Sequence, residues 1–136
     1  MSIPDIKPAN ILTGTQDLPN TVYLADFGIA KQYRHPNMHI HIPFCDGIPL
    51  TGTPAFASIN SHLGAELSRR DDIESLAYVL IYFLWGSLPW SGASDVDRIL
   101  QLKQGTRMDH LCSELPDGFK LILEHARALA FTQRPD

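Results

Sequence analysis

Residues 71–85 read DDIESLAYVLIYFLW, and Gly86 follows them. Asp71 and Glu74 have the spacing of a capping box, in which side chains bond the free amides of a helix start, with Asp in place of Ser or Thr. Gly86 is the residue type that most often ends a helix. The ten residues from Leu76 to Trp85 are all apolar. The pattern therefore predicts a central helix over 71–85 that is buried on all sides.

Two further helical patterns follow this segment. In the first, residues 94–104, Ser94 and Asp97 repeat the cap spacing, and Gly105 comes directly after. In the second, residues 117–130, the apolar positions fall on one face at a period of 3.6. These positions are Phe119, Ile122, Leu123, Ala126, Leu129 and Ala130.

The residues before Asn60 have a different character. Ile11-Leu12 and Val22-Tyr23-Leu24 are predicted as a short strand pair, with 13–20 as the connection. Residues 26–60 show no periodicity, and four prolines interrupt them. An irregular stretch of that length in a compact domain is commonly functional. The predicted fold class is mainly α with a short β hairpin.

Length and composition limit the classes of function. The 136 residues give about one domain, and 44% hydrophobic content is enough for a core. The net charge of −4 argues against nucleic-acid binding through bulk charge. The longest apolar run is well short of the roughly 20 residues that span a bilayer, so we expect no membrane partner.

The cysteines and the first residues bear on localisation. Cys45 and Cys112 form no CxxC pair, and free thiols are typical of the cytosol or nucleus. The sequence around Met1 has no basic region followed by an apolar run, so we expect no signal peptide. We therefore expect a cytoplasmic or nuclear protein.

Two short polar motifs lie on either side of the predicted strand pair. The first is Asp5-Ile6-Lys7-Pro8-Ala9-Asn10, and the second is Asp26-Phe27-Gly28. The oxygens of Asn10 and Asp26 are ligands that a hard divalent cation prefers. Lys7 adds a positive charge suited to a phosphate, and Asp5 can act as a base toward a hydroxyl. This set of groups is the one that phosphoryl transfer requires.

Together and in this order, the two motifs resemble the catalytic loop and the metal-binding motif of protein kinases. Further runs resemble the casein kinase 1 family of serine/threonine protein kinases, in which Ser-Ile-Asn stands where most kinases have Ala-Pro-Glu. The resemblance covers nearly the whole chain. The runs that carry it include Leu50-Thr51-Gly52-Thr53, Ser58-Ile59-Asn60, Ser68-Arg69-Arg70-Asp71-Asp72 and Gly86-Ser87-Leu88-Pro89-Trp90.

The resemblance implies roles for individual residues. Asp5 matches the catalytic base, Lys7 the lysine that contacts phosphate, and Asn10 and Asp26 the magnesium ligands. Asp72 matches a buried carboxylate that braces the catalytic-loop backbone, although a helix N-terminus favours an Asp in any case. The implied cofactors are ATP and Mg²⁺, and the implied partners are protein substrates with serine or threonine acceptors.

The sequence also departs from the family. Ile3-Pro4 stands where the family has His-Arg, and Ala9 replaces an acidic residue. No Gly-x-Gly-x-x-Gly occurs in these 136 residues. We therefore expect a partial kinase domain, a C-terminal lobe without its N-terminal lobe, with a catalytic loop and activation segment over 1–60 and a helical part over 61–136. A non-catalytic binding module and a pseudogene product remain alternatives.

Two further sets of residues, most of them in the irregular stretch, have candidate roles. His35, His39, His41 and Cys45 do not follow a standard zinc spacing, and the family carries a similar His-x-His-Ile-Pro run, so loop roles are expected. Pro4, Ile48 and Ala55 stand at positions that are basic in familiar members of the family. The sequence therefore predicts a weakened anion site.

Overall fold

The computed structural model describes all 136 residues. They form a two-stranded sheet and five helices that lie mostly in the second half of the chain. The elements are β1 (Ile11–Thr13), β2 (Val22–Leu24), α1 (Ile59–His62), α2 (Arg69–Trp85), α3 (Val96–Gly105), α4 (Met108–Leu111) and α5 (Asp117–Ala128), with a 3₁₀ turn over Pro8–Asn10. This architecture confirms the class predicted from the sequence, which is mainly helical with one short hairpin.

The hairpin lies where the sequence predicted it. Strands β1 and β2 pair antiparallel, with Ile11 opposite Leu24 and Thr13 opposite Val22. The amide of Ala25 also donates to the carbonyl of Asn10 at 2.8 Å, so the pairing continues one residue past each strand. The residue after Ala25 is therefore held close to the residue before β1.

Helix α2 begins two residues before its predicted start, because the capping pair was assigned wrongly. The Asp71 carboxylate accepts a hydrogen bond from the Ser68 amide at 2.8 Å, so Ser68, not Asp71, is the N-cap. Glu74 instead accepts from the Tyr78 hydroxyl in the interior. Gly86 ends the helix in the left-handed conformation, as predicted, with φ of 74°.

The prediction that α2 is buried on all sides is wrong. Tyr78, Val79 and Ile81 are fully buried, but four apolar residues that follow the other side and the last turn are exposed. We call this exposed set the open face of α2, and it consists of Leu76, Phe83, Leu84 and Trp85. An all-round apolar pattern predicts burial only where neighbouring elements surround the helix.

The remaining helices differ from prediction at their ends. Helix α3 begins after Asp95, whose side chain accepts from the Arg98 amide at 2.9 Å, and it includes Gly105. Helix α5 ends at Ala128 rather than Ala130, which is exposed. The sequence did not predict α1 or α4, because single helical turns have no detectable period.

The core lies between α2, α3, α4 and α5. Its central members are the buried side chains of Ala77, Tyr78, Ile81, Leu88, Trp90, Ile99, Leu111, Cys112 and Leu123. Both cysteines are free thiols, and no helix is long and apolar enough to span a membrane. The 60/61 division expected from the sequence falls inside α1, and contacts between the first residues and α2 join the two parts.

Candidate functional site

Asp5 is the centre of a hydrogen-bond cluster that joins two distant parts of the chain. Its Oδ2 accepts from Lys7 Nζ at 2.6 Å, and its Oδ1 accepts from the amide and the hydroxyl of Thr53 at 2.9 and 2.7 Å. Asn10 Nδ2 donates to the Asp5 carbonyl at 2.9 Å. The structure therefore brings together Asp5, Lys7 and Asn10, the three site residues predicted from the first motif.

These contacts fix the ionisation of Asp5. Burial by itself raises the pKa of a carboxyl group, but here the hydrogen bonds from Lys7 and Thr53 and the charge of Lys7 outweigh it. The pKa of Asp5 is lowered below its ordinary value. Asp5 is therefore an ionised carboxylate at neutral pH, with both oxygens directed by named donors.

Thr53 is a site residue that the sequence analysis did not assign, although it quoted the run in which Thr53 lies. Its neighbour Gly52 has φ of 89°, and a Cβ at Gly52 would overlap the carbonyl oxygen of Pro4. Only glycine allows the two backbones to approach this closely. The Gly52-Thr53 pair is thus the signal that places residues 51–53 directly against the loop that carries Asp5.

Asp26 reaches the site through the hairpin. The Ala25 amide bonds the Asn10 carbonyl, so Asp26 lies at the same end of the hairpin as Asn10. Asp26 has φ of 61° and is exposed, and its Oδ1 accepts from the Gly28 amide at 3.1 Å. The turn holds one carboxylate oxygen and leaves the other without a partner within the chain.

The donor set at this end of the hairpin suits a magnesium ion. Asn10 uses its amide nitrogen toward Asp5, which leaves its amide oxygen available, and Asp26 supplies a carboxylate. Mg²⁺ is commonly held by one or two such protein oxygens and completes its shell with water and phosphate. No group of three or more His, Cys, Asp or Glu side chains forms a metal cluster by itself.

Asp72 contacts Ser2 and Ile3, just before the loop that carries Asp5, as the resemblance implied. Its Oδ1 accepts from the Ile3 amide and from the Ser2 hydroxyl, each at 2.9 Å. Burial raises the pKa of Asp72 to about 6, and the two hydrogen bonds only partly offset that effect. Asp72 therefore ties α2 to the chain two residues before Asp5.

An open cavity of about 430 Å³ adjoins the cluster. Lys7, Pro8 and Ala9 line one side, and Ala55 and Phe56 line another. The cavity is wide enough for a side chain of a bound segment, and Lys7 connects it to Asp5.

The three positions of the expected anion site do not line one pocket. Pro4 and Ile48 line a cavity of about 130 Å³ together with Lys31 and Glu66, whereas Ala55 lines the larger cavity. The Lys31 ammonium is already paired with Glu66 at 2.7 Å.

The two neighbouring arginines are also engaged. Arg69 donates to the Thr132 carbonyl at 2.7 Å and stacks over the Tyr33 ring. Arg70 donates to the Leu129 carbonyl at 3.1 Å. Lys31, Arg69 and Arg70 therefore each have a partner within the chain.

The histidine-rich segment makes local contacts. His35 Nδ1 accepts from the Asn37 and Met38 amides, and His41 packs edge-on against Phe131. The Cys45 thiol donates to Glu66.

A scan against known protein families finds none that matches this chain.

Proposed function

We propose that the chain is the C-terminal lobe of a casein kinase 1-like serine/threonine protein kinase domain. The observation that carries the proposal is the Asp5 carboxylate, ionised and bonded to Lys7 and Thr53, with Asn10 bonded to the same loop. The sequence motifs support the same chemistry independently of these distances. In this proposal the substrate is a protein hydroxyl and the phosphoryl donor is ATP.

Each residue of the cluster has a defined role in the proposal. Asp5 accepts the proton of the attacking serine or threonine hydroxyl, and the hydroxyl oxygen bonds to the γ-phosphorus. The bond between the γ-phosphorus and the β–γ bridging oxygen breaks, and ADP leaves. Lys7 lies 2.6 Å from Asp5 and neutralises charge on the transferred group. Thr53 keeps the Asp5 oxygens oriented before a substrate arrives.

Asn10 and Asp26 would hold Mg²⁺ in the proposed site. When bound, the ion neutralises the charge of the phosphate oxygens and orients them. Asp26 is exposed and fixed by its bond to the Gly28 amide, so it can approach a nucleotide without rearrangement of the hairpin. The same proposal places the protein in the cytosol or nucleus, where ATP is present and thiols stay reduced.

Nucleotide binding by the 136-residue chain tests the proposal. We expect Mg²⁺-ATP to shift the amide NMR signals of Lys7, Asn10 and Asp26, with an affinity of about 1 mM, since only part of a nucleotide site is present. Asp26→Ala should abolish the shifts. Asp17→Ala removes an exposed carboxylate from the hairpin loop and should leave them unchanged. If these signals do not move at saturating Mg²⁺-ATP, the proposal is wrong.

Catalysis by the chain alone is a separate outcome. The chain contains no glycine-rich loop to cover the phosphates, and positioning is most of the catalysis in phosphoryl transfer. We therefore expect no incorporation of radiolabel from ATP into casein. Incorporation that disappears in Asp26→Ala would support the kinase assignment and contradict the expected inactivity.

A second candidate, a non-catalytic binding module, is favoured by one observation. The open face of α2 exposes Phe83 and Leu84 by more than half of their surface, and apolar patches of this kind often mark contact sites. A module of this type would bind a protein partner through that face and would not respond to nucleotide. Unchanged spectra with Mg²⁺-ATP, together with partner binding lost in Phe83→Ser, would favour it over the kinase.

A further inference from the structure

Lys103 is the one lysine whose side chain is completely buried. It lies on α3, far in sequence from Asp5, and none of its surface is exposed. Its Nζ donates to the Ala57 carbonyl at 2.5 Å and to the Pro54 carbonyl at 2.7 Å. A buried ammonium is costly unless it is fully paired, so its presence here calls for a specific role.

Two residues near Lys103, His62 and Trp90, bond the same turn, residues 53–57, and His62 Nε2 lies 3.2 Å from Lys103 Nζ. His62 Nε2 donates to the Pro54 carbonyl at 2.9 Å, and Trp90 Nε1 donates to the Ala55 carbonyl at 2.7 Å. Together with the two bonds from Lys103, the carbonyls of Pro54, Ala55 and Ala57 all accept hydrogen bonds from core side chains. We call this set of donors the carbonyl clamp, which consists of Lys103, His62 and Trp90.

The turn connects the clamp to the catalytic carboxylate. Within it the Thr53 carbonyl accepts from the Phe56 and Ala57 amides, each at 2.9 Å. On its outer side, the Thr53 amide and hydroxyl hold Asp5 Oδ1. Movement of the turn by a fraction of an ångström would therefore move both donors relative to the Asp5 carboxylate.

We propose that Lys103 is a positioning residue that holds the 53–57 turn in place and so orients Asp5 through Thr53. The inference rests on the proposed function only in naming Asp5 as the base, since the contacts exist without nucleotide. The ammonium also lies 4.9 Å from the Tyr78 ring centre and 5.3 Å from that of Trp90, so it makes cation–π interactions with both rings.

The charged groups near Lys103 fit this arrangement. Burial lowers the pKa of Lys103 to about 7, Glu74 opposes that effect, and Arg127 adds to it. Burial, then the charge of Lys103, lowers the pKa of His62, which keeps its ring neutral as a donor to Pro54. In either protonation state Lys103 keeps at least two N–H bonds, which is enough for the Pro54 and Ala57 carbonyls.

The test follows the Asp5 carboxyl carbon by NMR during an acid titration of the full chain without nucleotide. We expect Lys103→Met to raise the Asp5 pKa by about one unit and to shift the Thr53 amide signal, because hydrogen bonds to the ionised carboxylate hold that pKa down. Lys120→Met removes a lysine from α5 and should change neither signal. An unchanged Asp5 pKa in folded Lys103→Met would overturn the proposal.

A measurement on the unmodified protein covers the case in which Lys103→Met does not fold. Through-hydrogen-bond couplings between Lys103 Nζ and the carbonyl carbons of Pro54 and Ala57 should be visible, and their absence would overturn the proposal. Both measurements are made without ATP. A responsive Asp5 combined with no effect of Mg²⁺-ATP would leave the positioning role intact and would remove the kinase assignment.

Discussion

At the scale of single residues, Asp72 differs from Asp5 because the effect of burial on its pKa outweighs that of its hydrogen bonds. The pKa of Asp5 is lowered by its donors, whereas the pKa of Asp72 is raised to about 6. Each carboxylate connects the first residues of the chain to a distant segment. Asp5 bonds Thr53, and Asp72 of α2 bonds Ser2 and Ile3. The pKa values of these two carboxyl groups are therefore shifted in opposite directions.

Asp72 makes stability depend on pH in a defined window. The pKa of Asp72 in the folded chain, about 6, is above its ordinary value of 3.8, so the folded chain binds more protons between these values and loses stability as pH rises through them. We expect Asp72→Asn, which cannot ionise, to gain about 1–2 kcal/mol relative to wild type between pH 4 and 6.5. Urea unfolding at four pH values measures this. A constant difference across that range would contradict the prediction.

Substrate choice by the proposed kinase is a second property that depends on single residues. Lys31 is paired with Glu66, and Arg69 donates to a backbone carbonyl, so neither is free to bind a phosphoserine. We expect a peptide with phosphoserine three residues before the target to bind within about threefold of its unphosphorylated match, because no charge-assisted hydrogen bond is added. Fluorescence anisotropy of the two peptides measures this ratio.

The matched variant for substrate choice is Ala55→Arg. Ala55 lines the cavity beside Lys7, and an arginine there should restore a preference for the phosphorylated peptide. A large preference in the wild type that Ala55→Arg does not increase would show that other residues form the anion site.

At the scale of elements, one buried carboxylate, that of Asp71, joins the start of α1 to the start of α2. Asp71 accepts from the Ser58 hydroxyl at 2.8 Å, the Asn60 amide group at 2.9 Å and the Ser68 amide at 2.8 Å. It therefore connects the start of α1 to the start of α2. The sequence analysis predicted that Asp71 begins and caps the helix, whereas in the structure its carboxylate links the start of α1 to Ser68, the N-cap of α2.

Removal of this carboxylate should be costly. We expect Asp71→Ala to lower the free energy of unfolding by about 2–4 kcal/mol, since two buried donors, from Ser58 and Ser68, and one half-buried donor, from Asn60, lose their acceptor. Asp97→Ala, in the exposed first turn of α3, should cost less than about 1 kcal/mol. Chemical denaturation of both variants measures the difference, and equal losses would contradict the role assigned to Asp71.

At the scale of the whole molecule, the open face of α2 is one of the uncovered apolar surfaces. Phe83 is 51% exposed and Leu84 is 57% exposed, next to Trp85 at 47%. Helix α5 covers the other side of α2, where Tyr78 and Leu123 are fully buried. One helix therefore contributes to the core on one side and exposes apolar side chains on the other.

This surface should make the isolated chain self-associate. We expect size-exclusion chromatography to show species larger than a monomer whose share grows with concentration, because apolar patches of this size promote association. Phe83→Ser with Leu84→Ser should shift the chain toward the monomer, whereas Leu121→Ser, an exposed apolar residue of α5, should not. A monomeric wild type with a sharp cooperative melt would contradict the expectation.

Local sequence patterns determined several parts of this protein. Short apolar runs with flanking turn residues predicted β1 and β2, cap spacings with a following glycine predicted α2 and α3, and apolar periodicity predicted α5, because these signals depend only on neighbouring residues. The motif from Asp5 to Asn10 was also sufficient to predict that Asp5, Lys7 and Asn10 lie together, since six residues cannot separate far.

Other features depend on residues that are distant in the chain, and only the tertiary structure decided them. The contact of Thr53 with Asp5 spans 48 positions, and that of Lys103 with Pro54 spans 49. The exposure of Phe83 likewise depends on which elements pack around α2, which its own apolar pattern does not encode. Periodicity reports the preference of a segment for burial, whereas the packing of the remaining elements decides which side of that segment is covered.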